Sequence, residues 1–195
     1  MLIPMVIDQV GSVERSYDIY SRLLEDRIVF ITDEITMELA NIVIAQLLYL
    51  EAKDNKKMIS LYINSPGGSV DAGLSIFDTI QCLKCGVSTI CLGLAASMAA
   101  VLLACGEKGK RFSLPNSRIM IHQPSGGMNG KASEIQIAAE QILKLKDKMN
   151  HILSNLTGQT VEKIKNDSML DYYLDAQAAI EYGLIDKIVE KPKMK

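Results

Sequence analysis

Tryptophan is absent from the 195 residues, phenylalanine occurs 3 times and histidine twice. Few flat rings are therefore left for stacking on nucleobases. An excess of cations is missing too: 21 Lys and Arg stand against 23 Asp and Glu, a net charge of -2. No positive field collects phosphate backbones, so nucleic acid is not an expected partner. Four cysteines in a chain of this length do not make the disulfide scaffold of a small secreted domain. No Gly-x-Gly-x-x-Gly occurs, and Gly106-Glu-Lys-Gly-Lys-Arg111 lacks the spacing and the Ser/Thr of a phosphate loop. Any ATP used in this protein's work is bound by something else, and no cofactor is expected.

The first thirty residues carry Asp8, Glu14, Arg15, Asp18, Arg22 and Glu25, which leave no room for an apolar signal core. The expected location is cytoplasmic. From Cys85 to Gly106 there is no charge, a length that could span a bilayer. Gly86, Ser88, Thr89, Gly93 and Ser97 interrupt it, and its β-branched residues crowd the first third. That division predicts a buried strand, Val87 to Leu92, turning into a buried helix, Ser97 to Cys105, and no membrane span.

With 48% hydrophobic residues, the chain has enough apolar surface for a folded core. One domain over residues 1–195 is expected. Strand signals at Arg27–Thr32, Ile59–Asn64, Arg118–His122 and Leu184–Val189 alternate with helix signals. Thr36–Glu51 is predicted helical, with Thr36 as N-cap, as are Val70–Leu83 and Ala176–Tyr182. The longest helix places Ile135, Ala138, Ile142, Leu145, Met149, Ile152 and Leu156 on one stripe, with a capping box from Ser133 and Gln136 and a stop at Gly158. The pattern predicts an α/β domain, sheet inside and helices outside. Lys191–Lys195 is expected to fray.

Cys82-Leu-Lys-Cys85 is a bare C-x-x-C. Cys82 falls at a helix C-terminus, where the dipole disfavours thiolate, and Cys91 and Cys105 lie in the apolar core. Buried structural cysteines are expected, and no metal. Of the two histidines, His151 sits off the apolar stripe of its helix and is expected to be solvated. His122 ends a short apolar strand, a position where reactive groups are often held. Ser97 stands where a strand turns into a helix, flanked by Ala95, Ala96, Ala99 and Ala100. It is either a nucleophile at a helix N-terminus or a plain N-cap, because Ala-Ala-Ser-Met-Ala is not Gly-x-Ser-x-Gly. Gly67-Gly68 forms a second turn able to aim a backbone N–H at a carbonyl oxygen.

Tyr62-Ile-Asn-Ser-Pro-Gly-Gly-Ser-Val70, Ser88-Thr-Ile-Cys-Leu-Gly-Leu-Ala-Ala-Ser-Met98 and Leu114-Pro-Asn-Ser-Arg-Ile-Met-Ile-His-Gln-Pro124 resemble the ClpP family, the peptidase subunits of ATP-dependent Clp proteases. The resemblance runs from Pro4 to Asp186. It implies a crotonase-like superhelix of strand-strand-helix units, an axial N-terminal segment over 1–20 and a projecting handle helix over 133–157. It implies a serine endopeptidase with Ser97 as nucleophile and His122 as base. The third member falls in Asp171-Tyr-Tyr-Leu-Asp-Ala176 at Asp171, with Asp167 and Asp175 as competitors. The resemblance gives the oxyanion to the N–H groups of Gly68 and Met98. It gives the substrate to Ser69 and Val70 on one side and a strand over Ser125, Gly126 and Gly127 on the other. An unfoldase pocket would be lined by Tyr62, Ile90, Phe112, Leu114 and Val189. Implied partners are further copies, as two stacked heptameric rings, an AAA+ unfoldase such as ClpX, ClpC or ClpA, and unfolded polypeptides.

Leu94 and Ala99 replace the Gln and Gly usual around Ala-Ala-Ser-Met. Ser60 and Cys82 stand where many relatives carry an aromatic, and Met169-Leu170 replaces an acidic-Arg pair that links ring to ring. These departures leave a second reading beside the peptidase: a divergent paralogue acting mainly as a structural subunit of a mixed particle. Acyl-CoA chemistry on the same fold does not need this Ser-His-Asp set.

Overall fold

The computed structural model describes residues 3–10 and 13–190; Lys191–Lys195, expected to fray, lie outside them. Two short strands, β1 (Met5–Val10) and β2 (Val13–Asp18), form an antiparallel ribbon of their own. Asp18 accepts from Ser21 N–H at 2.9 Å and so starts helix α1 (Ile19–Glu25).

The main sheet holds seven strands. Strands β3 (Ile28–Ile31), β4 (Ile59–Ser65), β5 (Val87–Ala96), β6 (Arg111–Ser113) and β9 (Lys187–Ile188) run parallel in that spatial order. Burial alternates along β4, where Ile59, Leu61 and Ile63 are fully buried and Ser60 and Tyr62 half-buried. One face of the sheet is therefore covered, by helices α2 (Met37–Lys53), α3 (Val70–Cys82) and α4 (Met98–Ala104), whose Val43, Leu47, Ile76 and Leu102 join the same core. Each such side chain contributes about 1.5–3 kcal/mol by leaving water.

β5 is longer than its β-branched third predicts, because it has two partners on one edge. Thr89–Cys91 pair with β6, and Leu94–Ala96 pair with β7 (Arg118–Ile121). This fork carries the strand to the residue before Ser97. β7 in turn pairs antiparallel with β8 (Tyr172–Asp175), the only antiparallel ladder described in this sheet. Helix α5 (Ala132–Thr157), α6 (Val161–Asp167) and α7 (Ala176–Tyr182) complete the order.

Several expectations are corrected. α5 begins at Ala132, and Glu134, not Gln136, reaches back to the Lys131 N–H at 2.9 Å. Of its stripe only Met149 is buried, and the other buried residues of the helix, Asn150 and Leu153, lie off the stripe, while Ile135 is 45% exposed. The last strand is two residues long, because the N–H groups of Leu184 and Ile185 turn back to Ala179 O at the end of α7 instead of joining the sheet. Cys82 is exposed, unlike Cys85, Cys91 and Cys105. No helix among the described residues is long and apolar enough to cross a membrane. The charge-free stretch lies in β5 and α4, where all seven residues of α4 are buried.

Candidate active site

Ser97 joins β5 to α4 at φ 56°, ψ -122°. A non-glycine residue held there costs on the order of 1–3 kcal/mol, and the surroundings over-determine it. Its N–H donates to Met120 O at 2.8 Å, and its carbonyl accepts from Ala100 N–H at 3.0 Å. The side chain makes no capping bond, so the plain N-cap reading of Ser97 fails. Instead Ser97 Oγ lies 2.9 Å from His122 Nε2, and His122 Nδ1 lies 2.8 Å from Asp171 Oδ1. With the proton on Nδ1, the ring donates to Asp171 and accepts from the Ser97 hydroxyl.

The ladder of β7 with β8 explains how residues 49 positions apart meet. Ile121 pairs with Tyr172, so His122 just past one strand stands beside Asp171 just before the other. The competing carboxylates have other tasks. Asp175 accepts from Ala178 N–H at 2.8 Å as N-cap of α7. Asp167 accepts from Lys163 Nζ at 2.7 Å and from the Tyr182 hydroxyl at 2.8 Å. Burial works to raise the Asp167 carboxyl, but these two donors outweigh it and hold it below its ordinary value.

The second turn is packed against the first. Gly67 has φ 93° and Gly68 φ 152°, both favouring glycine. A methyl on Gly67 would lie 2.6 Å from Ala96 O and 3.1 Å from Met98 N, and one on Gly68 would lie 2.5 Å from Ile35 O. Ile35 N–H donates to Gly67 O at 2.8 Å and Ser69 N–H donates to Ile35 O at 2.9 Å. In that parallel bridge the N–H of Gly68 takes no part. Met98 opens α4, so its N–H has no acceptor within the helix. Gly67 thus brings this turn against Ser97, where a methyl would lie 2.8 Å from Ser97 Cβ.

Beside them is a small cavity of ≈ 20 Å³, lined by Val70, Val101, Ile121, Pro124, Met149 and Leu153 along with Ser97, Met98 and His122. Sequence reasoning named Val70, Ser97, Met98 and His122 as site residues but missed Val101, Ile121, Pro124, Met149 and Leu153. It also missed Gly73, whose lack of a side chain leaves room for Met98: a methyl there would lie 2.1 Å from Met98 Cγ. A glycine inside a predicted helix was the available signal.

Ser69 accepts from Ala72 N–H at 3.3 Å and caps α3. Ser125, Gly126 and Gly127 are exposed and form no strand, which corrects the expected one: no neighbouring strand among the described residues supplies hydrogen-bond partners. Far from Ser97, Tyr62 pairs with Ile90 and Ile90 with Phe112 across β4, β5 and β6, on the half-buried face. Leu114 N–H donates to Cys91 O at 3.0 Å and Val189 N–H to Ser113 O at 2.9 Å, so all five residues gather at that side of the sheet. His151 is exposed on α5. Burial pushes the Cys105 thiol up to about 12 and raises that of Cys91, which leaves both unreactive. No cluster of metal-ligating side chains occurs among the described residues.

A hydroxyl on a strained strand-to-helix turn, an imidazole and a carboxylate in one hydrogen-bonded line are the arrangement of a serine hydrolase. The sequence profile of the Clp protease family matches residues 11–192. The chain belongs to the Clp protease family, and with it to the ClpP-like serine peptidase subunits. Assembly with Clp ATPases is general in that family.

Proposed function

We propose that this chain is a serine endopeptidase subunit that cleaves unfolded polypeptides inside a chamber of two stacked heptameric rings, fed by an AAA+ unfoldase. The observation that carries the reading is the Ser97–His122–Asp171 line, at 2.9 and 2.8 Å. His122 Nε2 takes the Ser97 proton as Oγ attacks the scissile carbonyl. Asp171 holds the tautomer and steadies the imidazolium. The oxyanion is received by the N–H groups of Gly68 and Met98, fixed before reaction and so cheap to use. His122 then gives its proton to the leaving amine, and water repeats the sequence to release the acyl group. Ser69, Val70 and the open segment Ser125–Gly126–Gly127 flank the extended substrate; the unpaired backbone of that segment suits strand addition.

In this reading α5 is the handle, the sheet face at Tyr62, Ile90, Phe112, Leu114 and Val189 receives the unfoldase, and residues 1–20 line the axial entrance. The single-domain architecture over 1–195 and a cytoplasmic location belong to the same proposal. A second reading, a weakly active paralogue serving a mixed particle, is favoured by Met169 and Leu170, which are 53% and 79% exposed where relatives pair charges. Ser97→Ala should abolish hydrolysis of fluorogenic peptides and labelling by a serine-directed phosphonate, a loss of several orders of magnitude. Hydrolysis above background in that variant would sink the nucleophile assignment. Native mass spectrometry of the chain alone and with a second ClpP separates the two readings: an active double ring formed alone excludes the structural role.

A further inference from the structure

Gln123 follows His122 and makes two bonds to one loop. Its N–H donates to Ser168 O at 2.7 Å, and its side-chain Nε2 donates to Met169 O at 2.8 Å. Those carbonyls stand three and two residues before Asp171. The β7–β8 ladder ends at the pair Ile121 and Tyr172, so neither His122 nor Asp171 is held by strand pairing. The loop needs holding. Met169 is 53% and Leu170 79% exposed, and the Asp171 side chain is 54% exposed. Ser168, by contrast, is buried and ends α6, and its N–H donates to Ile164 O. Between this anchor and Tyr172, two side-chain hydrogen bonds are described that cross to the His122 segment: the His122–Asp171 bond itself and that of Gln123, which alone holds the loop from outside the catalytic line.

We infer that Gln123 is a positioning residue: its amide clips the Met169 carbonyl and so sets Asp171 within reach of His122 Nδ1. The inference rests on the peptidase reading for its kinetic consequence, but the clip itself does not. Gln123 touches neither substrate nor reacting atom. It acts through Asp171 alone, so removing it weakens the orientation of His122 without changing how substrate is bound. The backbone bond to Ser168 O remains in any variant, which keeps the loop's anchor and confines the effect to residues 169–171. The physical size is that of one hydrogen bond to a partly exposed acceptor.

The test compares wild type, Gln123→Met, Asp171→Asn and the double variant, with Ser97→Ala as control. Gln123→Met keeps the side chain's length and deletes the donor. It should lower kcat for a fluorogenic peptide about 2- to 10-fold with KM unchanged. Amide exchange over 169–172 should quicken by a similar factor, while exchange in β4 and β5 stays as in wild type. In the Asp171→Asn background the Gln123 substitution should cost nothing more, because both changes act on one interaction. An equal loss in both backgrounds, a change in KM alone, or unaltered exchange over 169–172 would overturn the inference. Should Gln123→Met unfold, Gln123→Glu keeps the shape and has no N–H to give at neutral pH, and it must show the same split. Activity persisting in Ser97→Ala, or none in wild type, would instead defeat the peptidase reading; exchange then still decides whether Gln123 holds the loop.

Discussion

Ser97 and Asp171 stand at the two ends of one hydrogen-bonded line and in opposite surroundings. Ser97 is fixed by the core: β5 pairs on both sides before it, α4 is buried along its whole length after it, and Gly67 presses on it with no room for a methyl. Asp171 lies on a loop with two exposed apolar residues beside it and solvent on its own side chain. The nucleophile's end is thus secured by packing that a single chain already has. The carboxylate's end depends on a few hydrogen bonds. Local opening therefore favours the Asp171 end, because little apolar area is lost when that loop moves.

Breaking the exposed end chemically gives the largest effect expected. Asp171→Asn should leave the fold intact and cut peptide hydrolysis about 10³- to 10⁴-fold, since His122 is then left without its tautomer-holding carboxylate. Asp167→Asn should cost stability through Lys163 and Tyr182 and much less rate. Steady-state kinetics of both variants, with melting curves, check the contrast; a larger rate loss at Asp167 would reverse it.

A substitution in the packed region should act on stability instead. Arg111 and Asp186 are paired at 2.7 Å with side chains 6% and 18% exposed, and Arg111 also donates to Ala104 O and Leu156 O. Arg111→Met should cost about 3–5 kcal/mol in denaturant unfolding, because the Asp186 charge is left without its partner. Burial works to raise the Asp186 carboxyl, but the Arg111 guanidinium and the N–H groups of Arg111 and Gly109 outweigh it and lower its pKa. A lowered carboxyl stabilises the fold above its unfolded value of about 3.9, and that contribution fades as pH falls through the folded value. The gap between wild type and variant should therefore narrow below about pH 4; a gap that widens there would refute the pairing argument.

The smallest effect sharpens the comparison between the two ends of β8. Asp175→Ala removes the N-cap bond to Ala178 N–H and should cost about 1 kcal/mol of stability with little change in rate. Asp171 and Asp175 lie four residues apart, so a purely catalytic loss at one and a purely structural loss at the other would separate the two roles.

Periodic elements were legible because their signal is local. α2 runs over Met37–Lys53 with Thr36 accepting from Leu39 N–H, and α7 spans Ala176–Tyr182. β6 and β8 carried no such signal: the buried positions of β6 are the polar Arg111 and Ser113, and β8 buries Leu174 alone. β1 and β2 pair only with each other and carry exposed Met5 and Ile7, so no buried face marked them. The early half of α5 shows the opposite failure. Its stripe is regular, yet Ile135 on it is exposed, as are Ile137 and Leu143 beside it. Periodicity reports what a helix can bury, not what it meets.

By itself the sequence determined the α/β alternation, the turns at Gly67-Gly68 and Ser97, and the candidates Ser97 and His122. These depend on side-chain spacing, helix capping and glycine's freedom, all within a few residues. The resemblance pointed to Asp171, with Asp167 and Asp175 left as competitors. Only the tertiary structure decided which of them faces His122, because that depends on the register of β7 against β8, a pairing between segments some fifty residues apart. It decided too that Gln123 reaches the Met169 carbonyl. Local rules set what each segment can form; pairing between distant strands sets which atoms finally meet.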